Sequence, residues 1–180
     1  MRKDVEEALK KYGVTVFGNK KNIEKAEEKL WDEETVFYVE PTNAVIYSVN
    51  IKDKQKLPGV FFVTNKRVLF CSKTGLSETM ETFALSEIKS VNSSGNSLTG
   101  GHISVHTMTK TLDILVTYKK KVMQEIVDMI NKVVYDYNNS TNEAGSNNNL
   151  QQIEKLYELY EKGILSKEEF ETKKKKLLEW

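Results

Sequence analysis

Catalysis at neutral pH most often draws on histidine, an activated thiol or grouped carboxylates, and this chain uses the first two sparingly. His102 and His106 are its only histidines. On one strand they share a face but stand ~13 Å apart at the usual rise, too far to grip one metal. No acidic or thiol group accompanies them at ligand spacing, so both read as solvent-facing strand positions. Cys71, the sole cysteine, lies in an apolar run and reads as inert packing despite the Ser72–Lys73 that follows it. There is no Walker loop, no G-x-S-x-G elbow and no dinucleotide fingerprint. "SSGNSLTGGH" is rich in glycine and serine, yet it joins two strands and opens no helix, so it reads as a plain turn. No catalytic residue, metal or cofactor is expected.

The remaining functional classes follow from composition. A chain of 180 residues can bury one sizeable core with an appendage. Its net charge of +1, with 29% charged residues of interspersed sign, argues against a protein working mainly through a bulk basic surface on nucleic acid or anionic membrane. A single cysteine excludes an internal disulfide and suits a reducing compartment. "MRKDVEEALKKYG" lacks the apolar core of a secretory signal, and no apolar run approaches the ~20 residues that span a bilayer. The expectation is a cytoplasmic protein.

The most ordered passage is "LPGVFFVTNKRVLFCSK". "VFFVT" and "RVLFC" suit a pleated, packed surface, and Asn65–Lys66 reads as a two-residue loop in which Asn tolerates positive φ. That loop pairs Val63 with Val68, Phe62 with Leu69, Phe61 with Phe70 and Val60 with Cys71. Phe61, Val63, Val68 and Phe70 then share one face, and Val60, Phe62, Leu69 and Cys71 the other. Antiparallel sheets usually keep one polar face, whereas this hairpin is apolar on both. Each such side chain gains roughly 1.5–3 kcal/mol on burial, so something must cover the second face. A helix from about Asn22 to Trp31, with Ile23, Ala26, Leu30 and Trp31 as its stripe, is the first candidate. An earlier helix carries Val5, Ala8, Leu9 and Tyr12.

Strands continue on both sides of this hairpin. "TVFYVE" and "AVIYSVNI" form one strand bent near Pro41, or two short ones. "ETMETF" and "IKSVNS" follow, with Phe83, Leu85, Ile88 and Val91 as core. A second hairpin turns at Met108–Thr109, pairing Val105 with Leu112 and Ile103 with Ile114, while His102, Ser104, His106, Thr111 and Asp113 take the polar face. Counting the bent strand once gives seven. A helix with Val122, Ile126, Met129, Ile130, Val133 and Tyr137 on its stripe closes the region. "NNSTNEAGSNNN" reads as a flexible linker. Two short helices end the chain: Ile153, Leu156, Tyr157 and Tyr160 on the first, and Phe170, Leu177 and Leu178 on the second. Gly163 caps the first, and Ser166 with Glu169 forms a capping box on the second.

"PGVFFVTNKRVLF", "FALSEIKSV" and "GGHISVHT" together resemble the bacterial pleckstrin-homology-like (PH-like) domains of the YokE-like type. "IEKLYELYEKGILSKEEFETKKKKLL" resembles the short C-terminal domain called SHOCT. The fold expected is mainly β plus α: a PH-like seven-stranded antiparallel sandwich or barrel capped by a helix, with helices before it and a small helical hairpin after it. The segments are 1–33 N-terminal helical, 34–137 PH-like, 138–149 linker and 150–180 SHOCT. The resemblance implies an assembly or ligand module and brings no catalytic motif.

Association is therefore the favoured role, because a helical pair of ~30 residues without metal or disulfide falls below the size that folds alone. It must meet a second copy, the PH-like domain or another protein. The candidate partner-binding residues are Ile153, Leu156, Tyr157, Tyr160, Phe170, Leu177 and Leu178 on the tail. Val60, Phe62, Leu69 and Cys71 on the sheet join them, unless the Asn22–Trp31 helix already occupies that face. The alternative is anionic-lipid binding through Lys52, Lys54 and Lys56 in the first inter-strand loop. The basic run Lys173–Lys176 wraps round a helix, with Lys174 lying along the apolar stripe.

Overall fold

A computed structural model describes the backbone of residues 1–48 and 51–178, and the side chains within them except those of 51–55, 141–152 and 177–178. By its contacts the chain divides into two units, Met1–Tyr137 and Asn138–Trp180.

The first unit opens with helices α1 (Lys3–Tyr12) and α2 (Lys20–Glu27), followed by seven strands. These are β1 (Val36–Ser48), β2 (Ile51–Thr64), β3 (Arg67–Thr74), β4 (Ser77–Ala84), β5 (Ser90–Asn96), β6 (Gly100–His106) and β7 (Lys110–Val116). Helix α3 begins at Lys120. One antiparallel sheet has the order β4-β3-β2-β1-β7-β6-β5. Residues from all seven strands share a single inner core, including Phe61 and Phe70 from one half and Ile103 and Ile114 from the other. A sheet whose two halves bury the same face together must curl on itself. At one mouth of this curl Lys110 Nζ reaches across to Glu81 Oε2 at 2.6 Å. On α3, Met123, Ile126, Val127 and Ile130 are buried in the same core. The expected stripe contained Ile126 and Ile130 but missed Met123 and Val127. A helix plugging a closed sheet buries a wider arc than one lying on an open face.

Both hairpins have the expected register. Val60 pairs with Cys71, Phe61 with Phe70, Phe62 with Leu69 and Val63 with Val68; Val105 pairs with Leu112 and Ile103 with Ile114. The strand through Pro41 is single and carries register irregularities at Val36/Tyr38 and Ile46/Ser48 rather than at the proline. The Asn65–Lys66 turn departs from expectation, since no described non-glycine residue has positive φ. Side chains hold this turn instead. Thr64 Oγ1 accepts the backbone N–H groups of Lys66 and Arg67, both at 3.1 Å. Asn65 Oδ1 accepts the N–H of Thr35 at 2.9 Å while the Asn65 N–H donates to the Thr35 carbonyl at 3.1 Å.

The second apolar face of the hairpin is also covered. Val60, Phe62 and Leu69 form an outer core with Val5, Ala8 and Leu9 of α1 and with Ile23, Ala26 and Leu30 of the α2 region. Helix α2 begins and ends earlier than expected, so Trp31 falls outside it. It is half-exposed, with its ring 4.0 Å from the Arg67 guanidinium. That guanidinium anchors the layer. Arg67 Nε lies 2.7 Å and a terminal nitrogen 3.2 Å from the two oxygens of Glu34, and the same nitrogen donates to the Lys29 carbonyl at 2.9 Å. Glu34 also accepts the Trp31 N–H at 2.8 Å and faces the Thr64 hydroxyl at 3.2 Å. Arg2 adds bonds to the Trp31 and Glu34 carbonyls and to Asp4, whose other partners are the N–H groups of Val36 and Val5.

In the second unit α3 continues to Glu161, and α4 spans Lys167–Leu178. Residues 138–149 have helical backbone, which corrects the expected break in secondary structure. No proline interrupts them, and once a helix is nucleated each further residue adds a bond. Gly163, at φ 69°, ends α3. The Ser166–Glu169 capping box is present: Ser166 N–H donates to Glu169 Oε2 at 2.9 Å and Glu169 N–H to Ser166 Oγ at 3.3 Å.

Glu34 and Arg67 are only 2% and 5% exposed, and removing one partner of such a pair strands the other charge. Arg67→Ala should therefore lower unfolding stability by about 3–5 kcal/mol in urea melts. Arg67→Lys, which keeps the charge and loses the fork, should fall between that variant and the parent. A loss of about 0–1 kcal/mol for Arg67→Ala, the range of an exposed pair, would contradict this.

Candidate interaction surfaces

The residues able to do chemistry are dispersed and quiet. His102 and His106 lie on the polar outer side of β6, half-buried. His102 Nδ1 is 2.8 Å from Asp113 Oδ1, and His106 Nδ1 is 3.0 Å from Thr111 Oγ1. Both partners are cross-strand neighbours on β7, so the contacts follow from the hairpin register. Among the described residues no group of three or more His, Cys, Asp or Glu side chains could hold a metal ion. Burial pushes the Cys71 thiol up to about 11, against the pull of the Arg67 and Lys29 charges. Tyr38 donates to Glu40 Oε2 at 2.7 Å, and burial raises the proton affinity of both groups.

The sheet residues singled out from the sequence do not form an open surface. Val60, Phe62 and Leu69 are fully buried by this chain's own α1 and α2, so a partner could reach them only if those helices left. Cys71 alone of the four stays partly accessible. Lys52, Lys54 and Lys56 do not form an inter-strand loop, because β2 already begins at Ile51 and pairs Lys56 with Val45 of β1. Lys56 is exposed, and the Lys52 and Lys54 side chains lie outside the described residues.

The tail residues do converge. Phe170 of α4 is buried, with its ring centroid 5.5 Å from Tyr160, nearly parallel, and 6.1 Å from Tyr157. Ile153 and Leu156 are half-buried, and the side chains of Leu177 and Leu178 are not described. Lys174 lies along the apolar stripe as expected, its Nζ 5.6 Å from the Phe170 ring. Sequence reasoning missed Ile164, which is 65% exposed, and Leu159, also exposed. It missed Leu76 and Met108 as well, which project from the β3–β4 and β6–β7 turns. The signal was available: an apolar residue beside the turn glycine Gly75, or in a two-residue loop, has no core to enter.

A seven-stranded antiparallel sheet curled round one core and plugged by the helix that follows it defines a PH-type domain. A family model for the bacterial PH domain matches residues 33–132, and the chain belongs to that family. A model for the short C-terminal domain matches residues 151–178. The finer YokE-like subtype stays an expectation. Similar solved structures include the N-terminal PH domain of Vps36, at 16% identity and a TM-score of 0.45, covering 59% of this chain and 83% of that one. Another is a DUF1696 family protein with a pleckstrin-homology domain from Shewanella loihica, at 14% identity and a TM-score of 0.37, covering 64% and 92%. No curated protein matches. No described helix is long and apolar enough to cross a membrane.

The raised Cys71 pKa predicts sluggish thiol chemistry. The thiolate is the reactive form, so a shift from an ordinary value near 9 to about 11 should cut the labelling rate by about a hundredfold in mildly alkaline buffer. Timed reaction with a chromogenic disulfide, folded against urea-unfolded, reads this directly. Equal rates in the two states would contradict it.

Proposed function

We propose that this chain is a non-catalytic binding module that self-associates or recruits a protein through its C-terminal helical pair. The carrying observation is the imbalance of that pair. Among its described side chains Phe170 is the only buried one, whereas Ile164 and Tyr157 are 65% and 52% exposed. One buried phenylalanine supplies roughly 1.5–3 kcal/mol, while ordering the backbone costs about 1–2 kcal/mol per residue. Further apolar contact must supply the difference, and a second copy offers matching surface. Residues 1–33 act as a built-in cover for the sheet, 34–137 as the PH-like body and 138–149 as the connection to the tail at 150–180.

Light scattering on the full chain should give a mass above the monomer that falls on dilution. Deleting residues 150–180, or introducing Tyr157→Ser with Ile164→Ser, should leave a monomer. A full chain that is monomeric at every concentration, and whose tail captures no protein, would end this reading.

Two exposed side chains favour a second reading, contact with an anionic membrane. Ser48 at the end of β1 pairs with Lys110 at the start of β7, next to the β6–β7 turn carrying Met108. The β3–β4 turn with Leu76 closes towards the same end, since β3 runs back along β2 in the direction of Lys56. Two apolar tips near the strand that carries Lys56 suit shallow insertion at an anionic surface, with Lys52 and Lys54 of the same strand as further candidate contacts. Co-sedimentation with phosphatidylserine vesicles should be salt-sensitive and be lost in Leu76→Asp with Met108→Asp; equal pelleting of parent and variant would reject it.

A further inference from the structure

The helical cover over the outer sheet face stops short. It seals Val60, Phe62 and Leu69 but leaves Cys71 partly open, and beside it lies a groove of about 510 Å³ between α2 and strands β1–β4. Its floor is made of small or rigid residues: Ala26, Gly59 and Cys71, with Pro41 and Pro58. Gly59 lines the groove with its backbone, since a Cβ there would turn away from it into the Phe70 ring of the inner core. Met80, opposite Cys71 on β4, adds a half-exposed apolar wall.

The rim is charged and unbalanced. Lys25, Lys29 and Lys73 line it together with a single carboxylate, Glu78. Glu78 is shared between Lys73 at 2.7 Å and Lys29 at 3.6 Å, so three positive charges face one negative. Asn19, Asn22 and Asn43 supply further polar groups. The volume falls within the usual range for small-ligand sites. An apolar shelf under a cationic rim complements a molecule with an apolar body and one anionic end.

We propose that this groove binds a small amphipathic anion, its hydrocarbon portion on the Cys71–Met80 shelf and its carboxylate head at Lys25 and Lys73. The site is made of first-unit residues alone, and it exists because α2 covers only part of the face.

Decanoate is a suitable probe, titrated calorimetrically into the full-length protein in vesicle-free buffer, with Cys71 alkylation followed in parallel. Binding should saturate at submillimolar decanoate and slow the alkylation of Cys71. Lys25→Glu, at an exposed position, should melt like the parent and weaken binding by about tenfold, whereas Met80→Asp should abolish protection of the thiol. Inorganic phosphate alone should give neither signal. The proposal fails if millimolar decanoate neither binds nor protects Cys71, if Lys25→Glu binds as tightly as the parent, or if phosphate competes equally well.

Discussion

The β2–β3 hairpin is apolar on both faces, and a strand pair of that kind cannot survive at the edge of a one-layered sheet. Phe61, Val63, Val68 and Phe70 enter the inner core, while Val60, Phe62 and Leu69 enter a second core of their own. Each face needs a separate cover, since side chains on opposite sides of a strand share no neighbours. The curled sheet and α3 supply one cover, and α1 with α2 the other. Residues before the PH-like body are therefore integral to its stability, because exposing three large side chains would cost several times roughly 1.5–3 kcal/mol.

Two short helices, of 10 and 8 residues, are too brief to be stable in isolation. The buried Glu34–Arg67 pair fixes where they land. Its charges are expensive to desolvate, which makes a misplaced cover costly as well as loose. In the native arrangement the guanidinium is bound by a carboxylate fork, a carbonyl and an indole face, and the carboxylate by a backbone N–H and a hydroxyl. No buried side-chain nitrogen or oxygen among the described residues lacks a partner. The pair therefore acts as a registration device: it ties the Leu30–Thr35 connection to the tip of the hairpin that the helices must cover.

Much of this was legible from alternation alone. Period-two patterning locates the apolar part of each strand and both hairpin registers, since a slip by one residue would turn Phe61 and Phe70 outwards. It missed the first half of β2, where lysines and a proline in Ile51–Pro58 read as a loop although they pair with β1. The capping box at Ser166–Glu169 and the glycine cap at Gly163 are local signals that need no tertiary context. What escaped was non-local or compensatory. Glu34 and Arg67 are 33 residues apart, and nothing in either segment marks a charge as buried. Asn65 suggested a positive-φ turn, yet hydrogen bonds from Thr64 and Thr35 stabilise the ordinary conformation. Trp31 fitted a helical stripe by spacing but lies beyond the helix end, where stacking on Arg67 replaces burial. The groove beside Cys71 is invisible in sequence because it depends on how far α2 extends over the outer face of the sheet.

The distribution of covered and uncovered surface constrains where function can reside. A face sealed by the chain's own helices binds a partner only after those helices are displaced, and the displacement cost is subtracted from whatever affinity results. Val60, Phe62 and Leu69 are thereby poor contact residues even though they are among the most apolar in the chain. Surfaces already exposed carry no such penalty. Among the described residues they include Tyr157, Leu159 and Ile164 on the tail, Leu76 and Met108 on two turns, and the shelf at Cys71. None of these tail and turn side chains belongs to the two core clusters, so selection of a ligand can vary there without disturbing the cores that keep the β2–β3 hairpin folded.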